Sequence, residues 1–269
     1  MSLKTGRKQS LLWQVYNPNS TQYSYLYGTI HLRDNSVYFL IEKLRELIKN
    51  CDTFIAEYDL DNNDQTTVMQ AMQIPDNKHL RNYMTERKYA RLKKSIEKAF
   101  NIDIDRFGFL KPIAIENMIT EKIFNSDYDF PMDFELWNYA NAEGKKTLGA
   151  ESTESQIHIL MNLSIRNQIK SLLKIGKNTS KYKNKIKKIV KYYKDQEIKQ
   201  LYKISIKALG RFKGMLVYDR NHRITEKMAT CMENGTVFVA VGAGHLPGKY
   251  GILRLLKQKG FSIRPMKVC

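Results

Sequence analysis

The sequence predicts an α/β fold in which a mostly parallel β-sheet is flanked by helices. Short apolar runs alternate with amphipathic runs along most of the 269 residues, and strand, helix, strand units of this length form parallel crossovers. Two of the apolar runs end in similar motifs, Gly28-Thr29-Ile30-His31 and Gly242-Ala243-Gly244-His245. A chain of this size can bury one large core. We therefore predict a single domain over residues 1–269.

The first half of the chain predicts three strands and several helices. Apolar and aromatic residues at 11–16 and 23–29 predict a pair of strands, and those at 53–58 predict a third. Between the second and third strands, apolar residues recur at helical spacing over residues 36–50, which predicts an amphipathic helix. Three more helices are predicted after the third strand, at residues 85–100, 111–124 and 134–142.

The second half of the chain predicts a lysine-rich helical segment and the strand that carries the second motif. A short strand at 146–149 comes first, with helices predicted at 156–173 and 181–199. The basic helical segment spans about 166–215, and we predict it to be an insertion with one solvated face. The last predicted elements are a helix that ends near residue 233, a strand at 236–241, a helix at 250–259 and an edge strand at 261–264.

Positive charge is concentrated in one part of the chain. The net charge is +18, and the segment from Arg166 to Lys227 carries 19 Lys and Arg but four acidic residues. A basic patch of this kind can contact nucleic acid or an anionic membrane surface. A lysine-rich solvated helix explains the same charge without a partner. We expect no nucleic-acid partner, and an anionic membrane surface stays open as a partner of the basic helical segment.

Cysteine spacing and the length of apolar runs argue against several classes of protein. Cys51, Cys231 and Cys269 are widely spaced and lack a CxxC pair, which argues against a disulfide framework or a zinc knuckle. No apolar run approaches the roughly 20 residues that span a bilayer, and the run at 11–16 is too short for a secretory signal. The chain as given shows no export signal, and a leader could have been trimmed from it.

Four polar residues that could act together lie at or just after the ends of predicted strands. They are His31, Glu57, Glu151 and His245. The carboxyl ends of parallel strands meet at one edge of a sheet, where ligands bind. Two imidazoles with one or two carboxylates suit Zn²⁺, Mn²⁺, Co²⁺ or Fe²⁺ and leave a position for water. We predict a divalent-metal site with His31, His245 and Glu57 as ligands, and we place Glu57 and Glu151 among the catalytic residues.

Each of these residues also has a structural interpretation. A single histidine at the end of a GxxH turn commonly bonds backbone groups. Glu57 could end its strand at the surface, and Glu151 could belong to a cap that opens the next helix.

Glycines in the two motifs would end the strands in a turn that other residues resist, and would leave space for a ligand. We place these glycines among the binding residues: Gly28, Gly242 and Gly244.

Several segments, in order along almost the whole chain, resemble the TraB/GumN family. They lie at residues 26–31, 56–57, 131–133, 144–156, 219–221 and 239–253. The resemblance implies a fold related to the erythromycin esterase and ChaN-like group (EreA/ChaN-like), and a relation to the animal Tiki proteins, which act as metal-dependent proteases. Composition alone would leave Arg220 on the surface. The resemblance instead makes Arg220 a candidate to bind a substrate carboxylate or stabilise an oxyanion, with Asn221 beside it as a binding residue.

The residues and the resemblance together predict a metal-dependent hydrolase that cleaves a peptide substrate. His31, His245 and Glu57 would bind Mn²⁺, Co²⁺ or Zn²⁺ and activate its water, and Arg220 would stabilise negative charge. The alternative is a non-catalytic protein that sequesters a peptide or small ligand in the same crevice, an expectation that the resemblance to signal-inhibiting family members also allows. Two histidines that ligate one metal at about 2 Å each would face each other within about 4 to 6 Å.

Overall fold

The computed structural model describes residues 9–18, 20–61, 65–209 and 213–266. These residues form two compact units. The first unit is drawn from Met1–Asp61, Tyr128–Ser152 and Val190–Cys269, and the second from Asn62–Asp127 and Thr153–Ile189. The assignment of one domain to residues 1–269 stays a prediction. The terminal Cys269 and residues 210–212 of the basic helical segment lie outside the described residues.

The described residues form six strands and a larger set of helices. The strands are β1 (Leu12–Tyr16), β2 (Tyr23–Thr29), β3 (Thr53–Tyr58), β4 (Lys146–Glu151), β5 (Val237–Gly242) and β6 (Ser262–Pro265). The α-helices are α1 (Ile41–Lys49), α2 (Gln65–Ala71), α3 (Glu86–Phe100), α4 (Ile104–Phe107), α5 (Pro112–Glu121), α6 (Met132–Ala142), α7 (Thr153–Asn162), α8 (Ile165–Lys177), α9 (Thr179–Lys194), α10 (Ile198–Leu209), α11 (Asp219–Glu233) and α12 (Ile252–Gln258).

The sheet of the first unit is mostly parallel, which confirms the predicted α/β class. Its strand order is β4-β3-β5-β2-β1-β6. Strands β4, β3, β5 and β2 are parallel, whereas β1 runs antiparallel to both β2 and β6. Strand β6 lies at the edge, as predicted. Because β5 is central and covered on both faces, its residues from Val237 to Val241 are all buried, the pattern typical of a parallel strand.

Helices α6 and α11 cover opposite faces of this sheet. Phe54 in β3 contacts Trp137 of α6, with ring centroids 6.1 Å apart. Glu57, three residues further along β3, contacts Arg220 of α11. Since side chains alternate between the two faces of a strand, these contacts put α6 and α11 on different sides. This arrangement decides which side chains meet at the end of the strand.

Several predicted element boundaries are wrong. The helix predicted at 36–50 begins at Ile41, because Asp34 caps a separate 3₁₀ turn at Asn35–Val37. The strand predicted at 146–149 continues to Glu151, so that this residue ends the strand. The helix predicted at 156–173 is two helices, α7 and α8. The helix predicted at 181–199 is also interrupted, because Gln196 adopts a left-handed backbone with φ 55°.

The second unit has an apolar core of its own to which the basic segment contributes. Helices α3, α5 and α8 bury their apolar faces together. From α8, the buried residues are Ile169, Leu172 and Ile175. In α9, Lys181, Lys185 and Lys187 are exposed. The segment 166–215 is therefore helical with a solvated face over its described residues, as predicted, while its status as an insertion stays a prediction.

Two further findings concern the whole described part of the chain. Cys51 is buried and Cys231 is partly buried, and both are free thiols. Among the described helices, none combines the length and apolar character needed to cross a membrane.

Candidate functional site

Strands β3, β4 and β5 bring three of the predicted site residues to one edge of the sheet. In the parallel register, Ala56 lies opposite Ala240 and Tyr58 lies opposite Glu151. Glu57 and Glu151 thus stand at the carboxyl ends of neighbouring strands, and His245 follows β5 in a 3₁₀ turn, Ala243–His245. This is the edge at which ligands bind in sheets of this type.

Glu57 is a partly buried carboxylate with a hydrogen-bond donor on each oxygen. Its Oε1 accepts a hydrogen bond from the Gly242 N–H at 2.6 Å, and its Oε2 accepts one from Arg220 Nη2 at 2.8 Å. Burial acts to raise the pKa of Glu57, but its interactions with His245, Arg220 and Gly242 outweigh burial and lower the pKa to about 2. The surface alternative for Glu57 is therefore wrong, since this carboxylate is anionic and paired.

Arg220 links the two predicted catalytic carboxylates. Its Nη2 bonds Glu57 and its Nε bonds Glu151, whose side chain is 1% exposed. Glu151 also accepts a hydrogen bond from Arg223 Nε at 3.0 Å. Burial acts to lower the pKa of Arg220, and the two carboxylates more than offset this effect and raise it. The expectation from composition, a surface Arg220, is wrong, because the side chain is 13% exposed and lies between two anions.

Asn221 fixes the ring of His245. Its Nδ2 donates to the backbone oxygens of Tyr250 at 2.7 Å and His245 at 3.3 Å, so its Oδ1 is the atom that faces the ring. The His245 Nδ1–H donates to this oxygen at 2.6 Å, and Nε2 therefore lacks a proton. Burial lowers the pKa of His245, which keeps the ring neutral. Asn221 is fully buried and acts as a positioning residue.

The unprotonated nitrogen of His245 faces a carboxylate. Nε2 lies 3.8 Å from Glu57 Oε1, beyond hydrogen-bond distance. Both atoms carry lone pairs, and neither has a proton to share at neutral pH. Two electron-pair donors that face each other in a largely buried site are arranged for an electropositive group between them.

His31 contacts residues of α6. Its Nδ1 is 3.0 Å from Asp133 Oδ1, and its ring contacts the edge of Phe134. The side chain is about half exposed. Because Asp133 accepts from Nδ1, the neutral ring of His31 also has its proton on Nδ1. The structure thus places His31 beside α6 and His245 beside α11.

The glycines of the two motifs allow close approach of protein groups. A Cβ on Gly242 would lie 3.0 Å from Glu57 Oε1, one on Gly28 would lie 3.0 Å from Ala243 Cα, and one on Gly244 would lie 3.2 Å from Ser205 Oγ. We expected these glycines to adopt a backbone turn that other residues resist, and this expectation is wrong at all three positions. Gly28, Gly242 and Gly244 are not among the described glycines with positive φ.

We expect Gly242→Ala to destabilise the chain by about 1–3 kcal/mol, the range for overpacking in a tight site. The backbone at Gly242 suits alanine, with φ −52° and ψ 133°, so the cost arises from displacing Glu57. Gly214→Ala is the control, because no described residue lies within 4 Å of a Cβ built there. Urea-induced unfolding measures both variants, and an unchanged stability in Gly242→Ala would contradict this packing argument.

A small pocket opens at the same edge of the sheet. Its lining includes the carboxylates of Glu57 and Asp133. The lining residues are Thr29, Ala56, Glu57, Tyr58, Leu60, Asp133 and Ala240. The pocket therefore joins Glu57, which points to the α11 face, to Asp133 at the start of α6. A ligand here would contact groups from both faces of the sheet.

Residues 11–265 match the TraB/PrgY/gumN family. The chain belongs to this family. It is 21% identical over 312 residues to a Danio rerio protein named Metalloprotease TIKI2, covering 94% of this chain and 60% of that protein. It is also 21% identical over 323 residues to Metalloprotease TIKI1 of Xenopus tropicalis, covering 98% and 63%.

This TraB/PrgY/gumN family member spans about three fifths of the length of these relatives. No solved structure matches the chain. The relation to the erythromycin esterase and ChaN-like group, which the sequence resemblance implied, therefore stays a prediction.

The side chains of this family member fit a divalent cation in part. Ligands at about 2 Å from one cation lie no more than about 4 Å apart, and His245 Nε2 and Glu57 Oε1 meet this limit at 3.8 Å. The bond from His245 Nδ1 to Asn221 is the kind of contact that orients a metal-binding imidazole. Within the described residues, however, no group of three or more His, Cys, Asp and Glu is placed to hold a metal ion. The three-ligand set with His31 stays a prediction.

Sequence reasoning assigned no role to three residues that border this site. Asp133 was part of a family-like segment, Tyr58 followed Glu57 in β3, and Arg223 lay in a helix rich in cations. Their contacts or pocket positions appear only after folding. For Tyr58, the sequence contained one signal of a position near the site. Strand alternation places it on the opposite face from Glu57, at the same strand end.

Proposed function

We propose that this chain is a hydrolase that cleaves peptide bonds with the help of a divalent cation. One observation carries the proposal: the unprotonated Nε2 of buried His245 faces the Glu57 carboxylate at 3.8 Å, with Arg220 paired behind that carboxylate. This pair of side chains lies at the carboxyl ends of parallel strands, where ligands bind. The names of the two relatives, both metalloproteases, support the reaction class.

His245 and Glu57 would hold the cation. When bound, it would polarise a carbonyl oxygen and lower the pKa of a bound water. Asn221 keeps the proton of His245 on Nδ1, so that Nε2 is available as a donor of electrons. The Gly242 N–H fixes Glu57 Oε1 on the side that faces His245. Both side chains are thus oriented before any ligand binds.

Arg220 would stabilise negative charge that develops on the substrate. Its Nε and Nη2 are bound to Glu151 and Glu57, and no described residue pairs with its Nη1. Glu151, itself held by Arg223, fixes the direction of the guanidinium. A fixed donor of this kind, aimed at developing charge in a largely buried site, is an effective form of transition-state stabilisation.

The test uses the full chain and a library of internally quenched peptides, with Mn²⁺, Co²⁺ or Zn²⁺ added separately. We expect hydrolysis with at least one cation, and a large loss of both cation binding and hydrolysis in His245→Ala. His222→Ala is the matched control, because His222 is an exposed histidine on the same helix as Arg220. His31→Ala separates a two-residue from a three-residue ligand set by its effect on cation affinity.

Three results would contradict the proposal. The first is peptide binding without turnover in the presence of each cation, which would instead indicate a sequestering protein. The second is equal activity and equal cation content in the unmodified chain and His245→Ala. The third is hydrolysis that persists unchanged after complete removal of divalent cations by chelation.

A further inference from the structure

Tyr58 borders the pocket from the face opposite Glu57. It is the last residue of β3, and strand alternation puts it on the same face as Phe54, which contacts Trp137 of α6. Both Glu57 and Asp133 line the pocket with it. Tyr58 is therefore positioned where a substrate held near Glu57 would meet the second face of the sheet.

The hydroxyl of Tyr58 is a proton donor without a hydrogen-bond partner among the described residues. A phenol keeps its proton at neutral pH at its ordinary pKa of about 10. The hydroxyl can therefore donate a hydrogen bond to a ligand in the pocket that Tyr58 lines with Glu57 and Asp133.

A neutral donor in a pocket that two carboxylates also line has a specific use. The carboxylates repel a substrate oxygen that gains negative charge, and Arg220 approaches the site from the α11 face. A second donor from the α6 face would hold the same oxygen without adding charge. Phenol hydroxyls serve as oxyanion donors in enzyme active sites.

We propose that Tyr58 is a further catalytic residue, whose hydroxyl donates a hydrogen bond to the scissile carbonyl oxygen as negative charge develops on it. This inference rests on the proposed peptide hydrolysis. The proton stays on the phenol throughout, and no bond to Tyr58 forms or breaks. Arg220 and Tyr58 would then contact the substrate oxygen from the two faces of the sheet.

The test is Tyr58→Phe, which removes the hydroxyl and keeps the ring. We expect kcat to fall about 10²–10³-fold, the effect of losing one oxyanion donor, with KM, cation affinity and urea stability unchanged. Tyr139→Phe is the control, because the Tyr139 hydroxyl interacts with Glu143 and Lys49 at the surface. A purely structural role for Tyr58 would change stability and leave kcat in place.

A second measurement separates this inference from the proposed function. Phosphinic peptides mimic the tetrahedral intermediate, and their affinity should fall in Tyr58→Phe by about the same factor as kcat. Unchanged kcat and unchanged phosphinate affinity in Tyr58→Phe, with His245→Ala inactive, would overturn the role of Tyr58 and leave the hydrolase proposal standing. Absence of hydrolysis by the unmodified chain would overturn both.

Discussion

Replacing Arg220 with methionine should lower the free energy of unfolding by about 3–5 kcal/mol, the usual cost of breaking a buried ion pair. Methionine keeps much of the aliphatic volume but leaves Glu57 without its guanidinium partner. Among the described residues, Glu151, 1% exposed, would keep Arg223 as its remaining partner. Urea-induced unfolding in metal-free buffer measures the loss, and peptide hydrolysis should fall in the same variant because Glu57 would no longer be held in place.

Arg223→Met is the matched control for this prediction. Arg223 also bonds Glu151, but its side chain is 49% exposed, so solvent screens its charge and its removal should cost much less. A double-mutant cycle of Arg220→Met with Glu151→Gln should show a coupling energy, since the two groups share one network. Equal losses in Arg220→Met and Arg223→Met would contradict a central role for Arg220.

Strands were predictable from the sequence because their signal is local. The run from Thr53 to Tyr58 is apolar and β-prone, and the same holds for β2 and β5, so their existence followed from neighbouring residues. Strand ends then predicted which polar residues reach one edge of the sheet. Helix boundaries were less predictable, because the interruption at Gln196 depends on a single left-handed residue inside a helical pattern.

The pairing of side chains could not be predicted, because it depends on residues that are distant in sequence. Arg220 is 163 residues from Glu57 and 69 from Glu151, and composition alone placed it in a basic, solvated helix. His31 is 102 residues from Asp133. Equal spacing in the two glycine motifs predicted equal positions after two strands, but it carried no information about which face of the sheet each histidine would approach.

Glu57→Gln should abolish most peptide hydrolysis and weaken cation binding, with a loss of at least about 100-fold in kcat/KM. The two oxygens of Glu57 accept from Gly242 N–H and Arg220 Nη2. An amide has one oxygen, so in either orientation it sets an N–H against one of these donors. The variant therefore removes the negative charge that faces His245 and also leaves a partly buried donor unpaired.

Glu135→Gln is a closely matched control for Glu57→Gln. Glu135 has the same exposure as Glu57, 21%, and is also paired with an arginine, Arg45 at 3.1 Å. It lies in α6 and is not among the residues that line the pocket. Its substitution should leave hydrolysis and cation affinity unchanged. Similar losses of activity in the two variants would show that any lost carboxylate in this unit impairs the chain, and would contradict a specific role for Glu57.

The pH dependence of stability gives a second, activity-independent test of Glu57. Its pKa is lowered from 4.5 to about 2, so the unfolded chain binds its proton more readily than the folded chain. The stability contributed by the Glu57 charge is therefore complete above pH 4.5 and is lost as pH falls toward 2. The difference in unfolding free energy between the unmodified chain and Glu57→Gln should shrink over this range, whereas a difference independent of pH would show that the carboxylate is not held as an anion by Arg220 and Gly242.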